Sequence, residues 1–346
     1  MFISRVFGEY KMKKIIKIKF VDYWKKFNPK QHIIYERLSK YFDVQLSDEP
    51  DYIVYGPFGE EHLKYIDCIK IFYTGECIAP DFNLCDYAIG YEYINFQDRY
   101  FRLPDYYNST YRADLYLCEK KHEIYKQYMQ DKTDFCSFVY SNGDGDKARI
   151  EIFEKLNEYK KVLSGGRLLN NINQPKGVKD KLAFQRKFKF SIACENGKHY
   201  GYTTEKIVQS FAACTIPIYW GDPSVYETFN KKAFINASDF KTLDDLVKYV
   251  EFVDNNEDIY LTMLKEPAVI NTDALCDNLL IEFDRYLVSI FSQPQGKAYR
   301  RNMVFWGAKY QRKRLDEYMM QSNADKGNCR KIYDVMKRLF PFCNRG

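Results

Sequence analysis

The sequence lacks the residue clusters that build metal centres and disulfide scaffolds. Its four histidines are scattered, and its ten cysteines, at positions 68, 77, 85, 118, 136, 194, 214, 276, 329 and 343, form no CxxC pair and no Cys/His cluster. That argues against a structural zinc site and for reduced, mostly buried thiols of a cytosolic protein. No apolar run approaches the roughly 18 residues that a membrane span needs. The opening MFISRVFGEYKMKK lacks the apolar core and cleavage site of a secretory signal. The sequons at Asn108 and Asn236 therefore read as coincidence.

A net positive charge is also missing from most of the chain. Thirteen Lys and Arg against four Asp and Glu lie from Lys297 onward, a net of +9. The whole chain carries +6, so residues 1–296 stand near −3. The body is slightly acidic and contains no recognisable nucleic-acid reading motif, so no nucleic-acid partner is expected. What is abundant is tyrosine: 31 residues, within an aromatic share of 17%. Tyrosine-lined clefts suit sugars and nucleotides, although a general use of Tyr in core and surface accounts for many of these positions.

A length of 346 residues favours two domains. Strands are expected over 15–23, 51–55, 69–76 and 86–93, with a helix over 33–41. The polar, Tyr-rich stretch 94–133 reads as loops approaching a linker. Alternation resumes with strands over 135–141, 162–166, 188–194, 216–221 and 233–240. Helices are expected over 148–159, 203–214, 243–265 and 277–292. Alternating strands and helices in two series predict an α/β protein of two doubly wound parallel-sheet domains. The boundaries drawn are 1–125, 126–292 and a basic helical tail, 293–346.

Ligands of such sheets bind beyond the carboxyl ends of strands, where helix N-termini converge. Four strand ends are chemically loaded: YTGE ending at Glu76, YSNGDGDKAR ending at Arg149, CEN ending at Asn196, and IYWG ending at Gly221. Arg149 falls in the first turn of one helix, after the N-cap candidate Asp146. Lys206 falls in the first turn of another, after the N-cap candidate Thr203. A cation at the positive end of a helix dipole is unfavourable unless an anion arrives. Two such cations on neighbouring crossovers point to a shared diphosphate, the alternative being two solvated surface residues. Glu205 suits the dipole and is also placed to hold a sugar hydroxyl. Asp144-Gly145-Asp146 has the form of a metal-binding Asp-x-Asp, but a capped turn explains both aspartates.

Residues 190–240, FSIACENGKHYGYTTEKIVQSFAACTIPIYWGDPSVYETFNKKAFINASDF, resemble the signature block of the α-1,3-fucosyltransferases. An ENS-type turn, a Y-x-T-E-K helix start, an IPIYWG strand and a DF-terminated segment follow in the family's order. Residues 71–107 resemble the acceptor-side block of bacterial members. The resemblance implies a GT-B architecture, two Rossmann-like domains facing across a cleft, with the acceptor domain first and the donor domain second. It implies a donor, GDP-β-L-fucose, and a Gal-GlcNAc-type glycan acceptor, fucosylated through an α-1,3 or α-1,4 linkage with inversion. Glu76 matches the family's proposed general base; Arg149, Asn196, Tyr202, Glu205 and Lys206 match donor-binding positions. No metal or other cofactor is required on this reading, with Mn2+ or Mg2+ at most stimulatory. Departures are Cys194 where Phe is common, Lys198-His199 in place of a more neutral pair, the GDGDKAR loop, and a tail without heptad repeats. The expected location is the cytoplasm, with peripheral attachment to an anionic membrane face through residues 329–343 and residues 299–320 packed back on the body.

Overall fold

The computed structural model describes residues 13–270, 275–302 and 304–339. Its first sheet is built from β1 (Ile15–Val21), β2 (Asp43–Leu46), β3 (Tyr52–Tyr55), β4 (Ile69–Tyr73), β5 (Tyr87–Gly90) and β6 (Tyr100–Arg102), in the order β2-β1-β3-β4-β5-β6. The second is built from β7 (Asp134–Phe138), β8 (Val162–Ser164), β9 (Phe188–Cys194), β10 (Ile216–Trp220) and β11 (Ile235–Asn236), in the order β11-β10-β9-β7-β8. Every pairing within the two sheets is parallel. β3, β4 and β5 are buried at every position. That is why they read as continuous apolar runs: in a parallel sheet both faces are covered.

The helices in chain order are α1 (Ile33–Leu38), α2 (Arg112–Glu119), α3 (Lys121–Ile124), α4 (Ala148–Tyr159), α5 (Lys181–Gln185), α6 (Glu205–Ala212), α7 (Leu243–Asn255), α8 (Glu257–Lys265), α9 (Leu275–Phe291), α10 (Gln295–Ala298) and α11 (Phe305–Leu339). Three expectations need correction. The stretch 94–133 is not loop alone; it carries β6, α2 and α3. The pattern over 243–265 is two helices, broken at Asn256, whose extended backbone (φ −121, ψ 96) ends α7 and starts α8. The strand expected over 233–240 is only Ile235–Asn236, because the Asn236 carboxamide accepts from the Ser238 N–H at 3.1 Å and turns the chain.

The chain crosses between the domains twice. α2 packs on α6, joined by Gln209 donating to Asp114 at 2.8 Å. Lys121 at the start of α3 donates to the carbonyls of Met263 and Glu266 at 3.2 and 3.1 Å, at the end of α8. Residues 112–124, grouped by sequence with the first domain, thus lie against the second. α9 does the reverse. Asp284 receives a two-pronged contact from Arg37 (2.6 and 2.7 Å), and Phe291 packs on Tyr52 with ring centroids 4.5 Å apart. One apolar cluster consequently runs from the first sheet through Leu115 and Cys118 to Phe211 and Phe229.

The start of the basic tail also returns to the first domain. Arg301 is fully buried against Asp86, and Arg314 pairs with Glu60 at 2.7 Å. On the outer side of α11, Phe305, Trp306 and Met320 stay exposed. No helix among the described residues is long and apolar enough to cross a membrane. The side chains over 324–339 and all of 340–346 lie outside the described residues, and with them the surface-attachment reading of 329–343.

Candidate active site

In each sheet the strand order reverses once, and the carboxyl ends flanking the reversal frame a crevice. In the second sheet that point lies between β7 and β9. The chain leaving β7 carries Asn142 and leads to Arg149 in α4; the chain leaving β9 carries Glu195 and Asn196. In the first sheet it lies between β1 and β3, whose ends carry Tyr23, Trp24, Pro57 and Phe58.

Two cavities meet at these crevices. The larger, about 370 Å³, is lined by all six residues expected from sequence: Glu76, Arg149, Asn196, Tyr202, Glu205 and Lys206. The smaller, about 280 Å³, is lined on the first domain by Tyr23, Trp24, Phe58, His32 and Tyr73. Gly75, Glu76, Asp105 and Tyr111 belong to both linings, so Glu76 stands where the two open into each other.

Glu76 follows β4 in a Thr-Gly-Glu turn. Its backbone N–H donates to the Thr74 hydroxyl at 2.9 Å, and that hydroxyl donates back to the Glu76 carbonyl at 3.2 Å. Thr74 holds the turn, while the Glu76 side chain is exposed and forms no hydrogen bond or ion pair among the described residues. The carboxylate is therefore free to meet a ligand and has no part in stabilising its turn.

Lys206 is not a solvated surface residue. The N-cap of α6 is Thr204, one residue later than expected, which puts Glu205 and Lys206 at the first two helical positions. Thr203 instead donates to Asp222 at 2.8 Å. The free N–H and hydroxyl of Thr204 both donate to the buried carboxylate of Glu195, at 2.9 and 2.5 Å. Lys206 Nζ lies 3.2 Å from Glu195, 3.4 Å from Glu205 and 2.8 Å from the Thr204 hydroxyl. Burial disfavours its charge, but Glu195 and Glu205 outweigh that and hold the ammonium well above its ordinary range. Glu195 itself is pushed up by burial, against the pull of Lys206. Burial also opposes ionisation of Glu205, yet Lys206 and Lys181 keep it below the usual carboxylate range.

Arg149 is likewise buried. Its guanidinium lies over the Tyr140 ring, 4.3 Å from the centroid, and donates to Asn196 Oδ1 at 2.6 Å and to the carbonyls of Glu195 and Asn142, both at 3.2 Å. α4 is capped at Lys147 rather than Asp146; the Asp146 carboxylate accepts from the Ala148 N–H at 2.9 Å. Asp144 closes an Asx turn with Asn142 at 2.9 Å. Among the described residues no three His, Cys, Asp or Glu side chains converge as a metal site.

The loop before α6 also touches the opposite wall. Gly201 takes φ +78, and a side chain there would run into the Tyr91 carbonyl. Tyr202 packs against Tyr91 with centroids 4.9 Å apart, and His199 reaches Glu92 at 3.0 Å. Sequence reasoning missed Asp105, Tyr111 and Lys181, all lining the larger cavity. Lys181 is the first residue of α5, so the signal that singled out Arg149 and Lys206 applied to it too. Burial lowers its affinity for a proton, against Glu205. Asp105 lay in a stretch read as loop, where no local pattern marks it.

Comparison with known proteins agrees with this geometry. Residues 18–109 match the alpha-(1,3)-fucosyltransferase FucT N-terminal domain, and residues 129–266 match the glycosyltransferase family 10 (fucosyltransferase) C-terminal region. The alpha-(1,3)-fucosyltransferase FucT of Helicobacter pylori is 34% identical over 271 residues, which cover 68% of this chain and 56% of that protein. The human 3-galactosyl-N-acetylglucosaminide 4-alpha-L-fucosyltransferase FUT3 is 31% identical over 39% of this chain and 37% of its own length. The chain thus spans about half, or less, of the curated relatives it matches. A crystal structure of an alpha1,3-fucosyltransferase with GDP-fucose superposes with a TM-score of 0.66 at 30% identity, covering 82% of this chain and 93% of that one. A second structure of an alpha1,3-fucosyltransferase gives 0.69 at 31% identity over 80% and 91%. Two Rossmann-like domains meeting at a cleft lined by the six expected residues, together with these matches, establish that the chain belongs to the family 10 fucosyltransferases, of GT-B fold.

Proposed function

We propose that this chain is an inverting α-1,3-fucosyltransferase that moves L-fucose from GDP-β-L-fucose to the GlcNAc hydroxyl of a Gal-GlcNAc-type glycan. The observation that carries the proposal is the cleft in which Glu76, whose carboxylate has no partner among the described residues, shares one lining with buried Arg149 and the half-buried Lys181 and Lys206. A solved relative was crystallised with GDP-fucose, and the human relative is named for fucosylating a galactosyl-N-acetylglucosaminide. Both support the donor and acceptor classes, and the latter keeps an α-1,4 product within the reading.

In this reading Glu76 takes the proton of the acceptor hydroxyl as that oxygen attacks the anomeric carbon. The new C–O bond forms on the face opposite the nucleotide, and the bond to the β-phosphate oxygen breaks. GDP leaves with growing negative charge, met by Lys206 and Arg149 at the N-termini of α6 and α4 and by Lys181. Lys206 exchanges part of its contact with Glu195 and Glu205 for a phosphate oxygen, and Asn196 keeps the Arg149 guanidinium oriented. Glu205 holds a fucose or ribose hydroxyl, and Tyr202 packs beside the nucleotide. These cations meet the charge without a metal, so no cofactor is required and Mn2+ or Mg2+ acts at most as a stimulant.

The aromatic cavity of the first domain receives the acceptor, with Trp24 and Phe58 offering flat faces to a sugar ring. The protein works in the cytoplasm, peripherally at the inner membrane face, with the basic tail as the contact. Liposome flotation with and without residues 322–346 tests that attachment; equal flotation rules it out. For the donor, thermal shift against GDP, GDP-fucose, UDP- and ADP-sugars is decisive. Only the guanine ligands should stabilise the protein, and stabilisation by a UDP- or ADP-sugar alone would assign a different GT-B transferase.

A further inference from the structure

Asp105 lies on the wall shared by the two cavities, after β6 and immediately beside the Thr-Gly-Glu turn. A methyl group placed on Gly75 would collide with its Oδ1, so the absence of a side chain at residue 75 lets this carboxyl approach the turn that presents Glu76. The partly buried side chain forms no hydrogen bond or ion pair among the described residues, although it stands among polar groups. Its backbone carbonyl accepts from the Asn108 N–H at 2.9 Å. An inward carboxyl with unmet hydrogen-bonding capacity is costly unless it stays neutral or a ligand completes it.

We propose that Asp105 is a substrate-binding residue of this site, a neutral carboxylic acid that donates its O–H to a hydroxyl oxygen of the acceptor sugar next to Glu76. The inference rests on the transferase reading above. The charged groups facing Asp105 are Glu76 on the turn after β4, Glu195 after β9, and Glu205 with Lys206 on α6. Tyr73 of β4 and Tyr111 before α2 face it as well. His32, across the smaller cavity, is kept neutral by burial and offers no counter-charge. Burial and then Glu205, with Glu76 and Glu195, push the Asp105 carboxyl up to about 7 against the pull of Lys206, while Arg149 and Lys181 line the same cavity farther along. A bound nucleoside diphosphate adds negative charge and drives it further the same way. With that charge in place Asp105 keeps its proton at neutral pH and holds the acceptor beside Glu76.

The test is binding of N-acetyllactosamine to GDP-loaded protein, followed by NMR across about pH 5.5–9, for the wild type, Asp105→Asn and Asp105→Ala. Asp105→Ala should weaken acceptor binding about tenfold with GDP affinity unchanged. Asp105→Asn keeps a neutral donor of the same shape and should stay within about threefold of the wild type. It should also lose the decline in acceptor affinity that the GDP-loaded wild type shows on the alkaline side of about 7, displaced upward by the bound nucleotide. The proposal is overturned if the Asn variant is as weak as the Ala variant, if its pH profile matches the wild type's, or if the Ala variant binds normally. Acceptor binding that depends on Asp105 in a protein that turns over no GDP-fucose would leave this proposal standing and overturn the transferase reading instead.

Discussion

Lys206→Ala removes the ion-pair partner of Glu195 among the described residues, and with it a cation proposed to meet the donor diphosphate. Glu195 has no exposed side-chain surface, and Lys206 only 11%. Removing one member of a buried pair costs about 3–5 kcal/mol when the survivor stays charged. Glu195 can escape part of that by taking up a proton, because burial has already pushed it up and Lys206 opposes that push. Protonation, however, weakens the bonds it accepts from the Thr204 N–H and hydroxyl. The sign follows from a carboxyl raised in the folded state. The variant's stability should be best preserved below the ordinary glutamate value of about 4.3 and fall as pH rises through the folded-state value. Chemical denaturation at about pH 5.5 and about pH 8 should show the larger deficit at the higher pH. Lys206→Met combined with Glu195→Gln removes the buried charge and should regain most of the stability. Neither variant should regain GDP affinity, which calorimetry should find roughly ten- to a hundredfold weaker, the worth of a charged hydrogen bond to phosphate. A double variant that binds GDP normally would reduce Lys206 to a structural partner of Glu195. An alanine variant with unchanged stability would refute the electrostatic account of the pair.

Three other perturbations probe separate parts of the account. Glu76→Ala should lower transfer by about 10²–10⁴-fold while leaving GDP affinity near normal in calorimetry, because the side chain forms no hydrogen bond or ion pair among the described residues. Arg37→Ala leaves Asp284 without its two-pronged partner between α1 and α9; urea denaturation should show a loss of about 3–5 kcal/mol. Burial works against ionisation of Asp254, yet Lys160 and Lys189, at 2.8 and 2.7 Å, hold its carboxyl below the usual range. That stability is present above the ordinary aspartate value and lost as pH falls through the lower folded value. Asp254→Asn should cost about 1–2 kcal/mol near neutrality and flatten the acid side of the stability curve.

The features legible in the sequence are those with a local cause. β9 is found at its observed bounds, 188–194, because FKFSIAC is an apolar run in a strand buried on both faces. Arg149 and Lys206 stood out because a cation in the first turn of a helix is out of place by itself. Where the cause is remote, the reading failed. β2, DVQL, is a half-polar edge strand with exposed ends and no apolar run. α2 has two buried positions, Leu115 and Cys118, and owes its place to α6 more than ninety residues away in sequence. The partner that explains Lys206, Glu195, was visible, but its capping of Thr204 depends on β9 and α6 being neighbours. Asp105 depends on the close approach of β6 and the turn after β4, which no single stretch encodes.

The central claim is tested most directly by incubating the protein with GDP-β-L-fucose and N-acetyllactosamine and reading the product by NMR. The account predicts release of GDP and an α-linked fucose on O3 of GlcNAc. Free fucose without glycan product, a β-linked product, or transfer from another sugar nucleotide alone would contradict it.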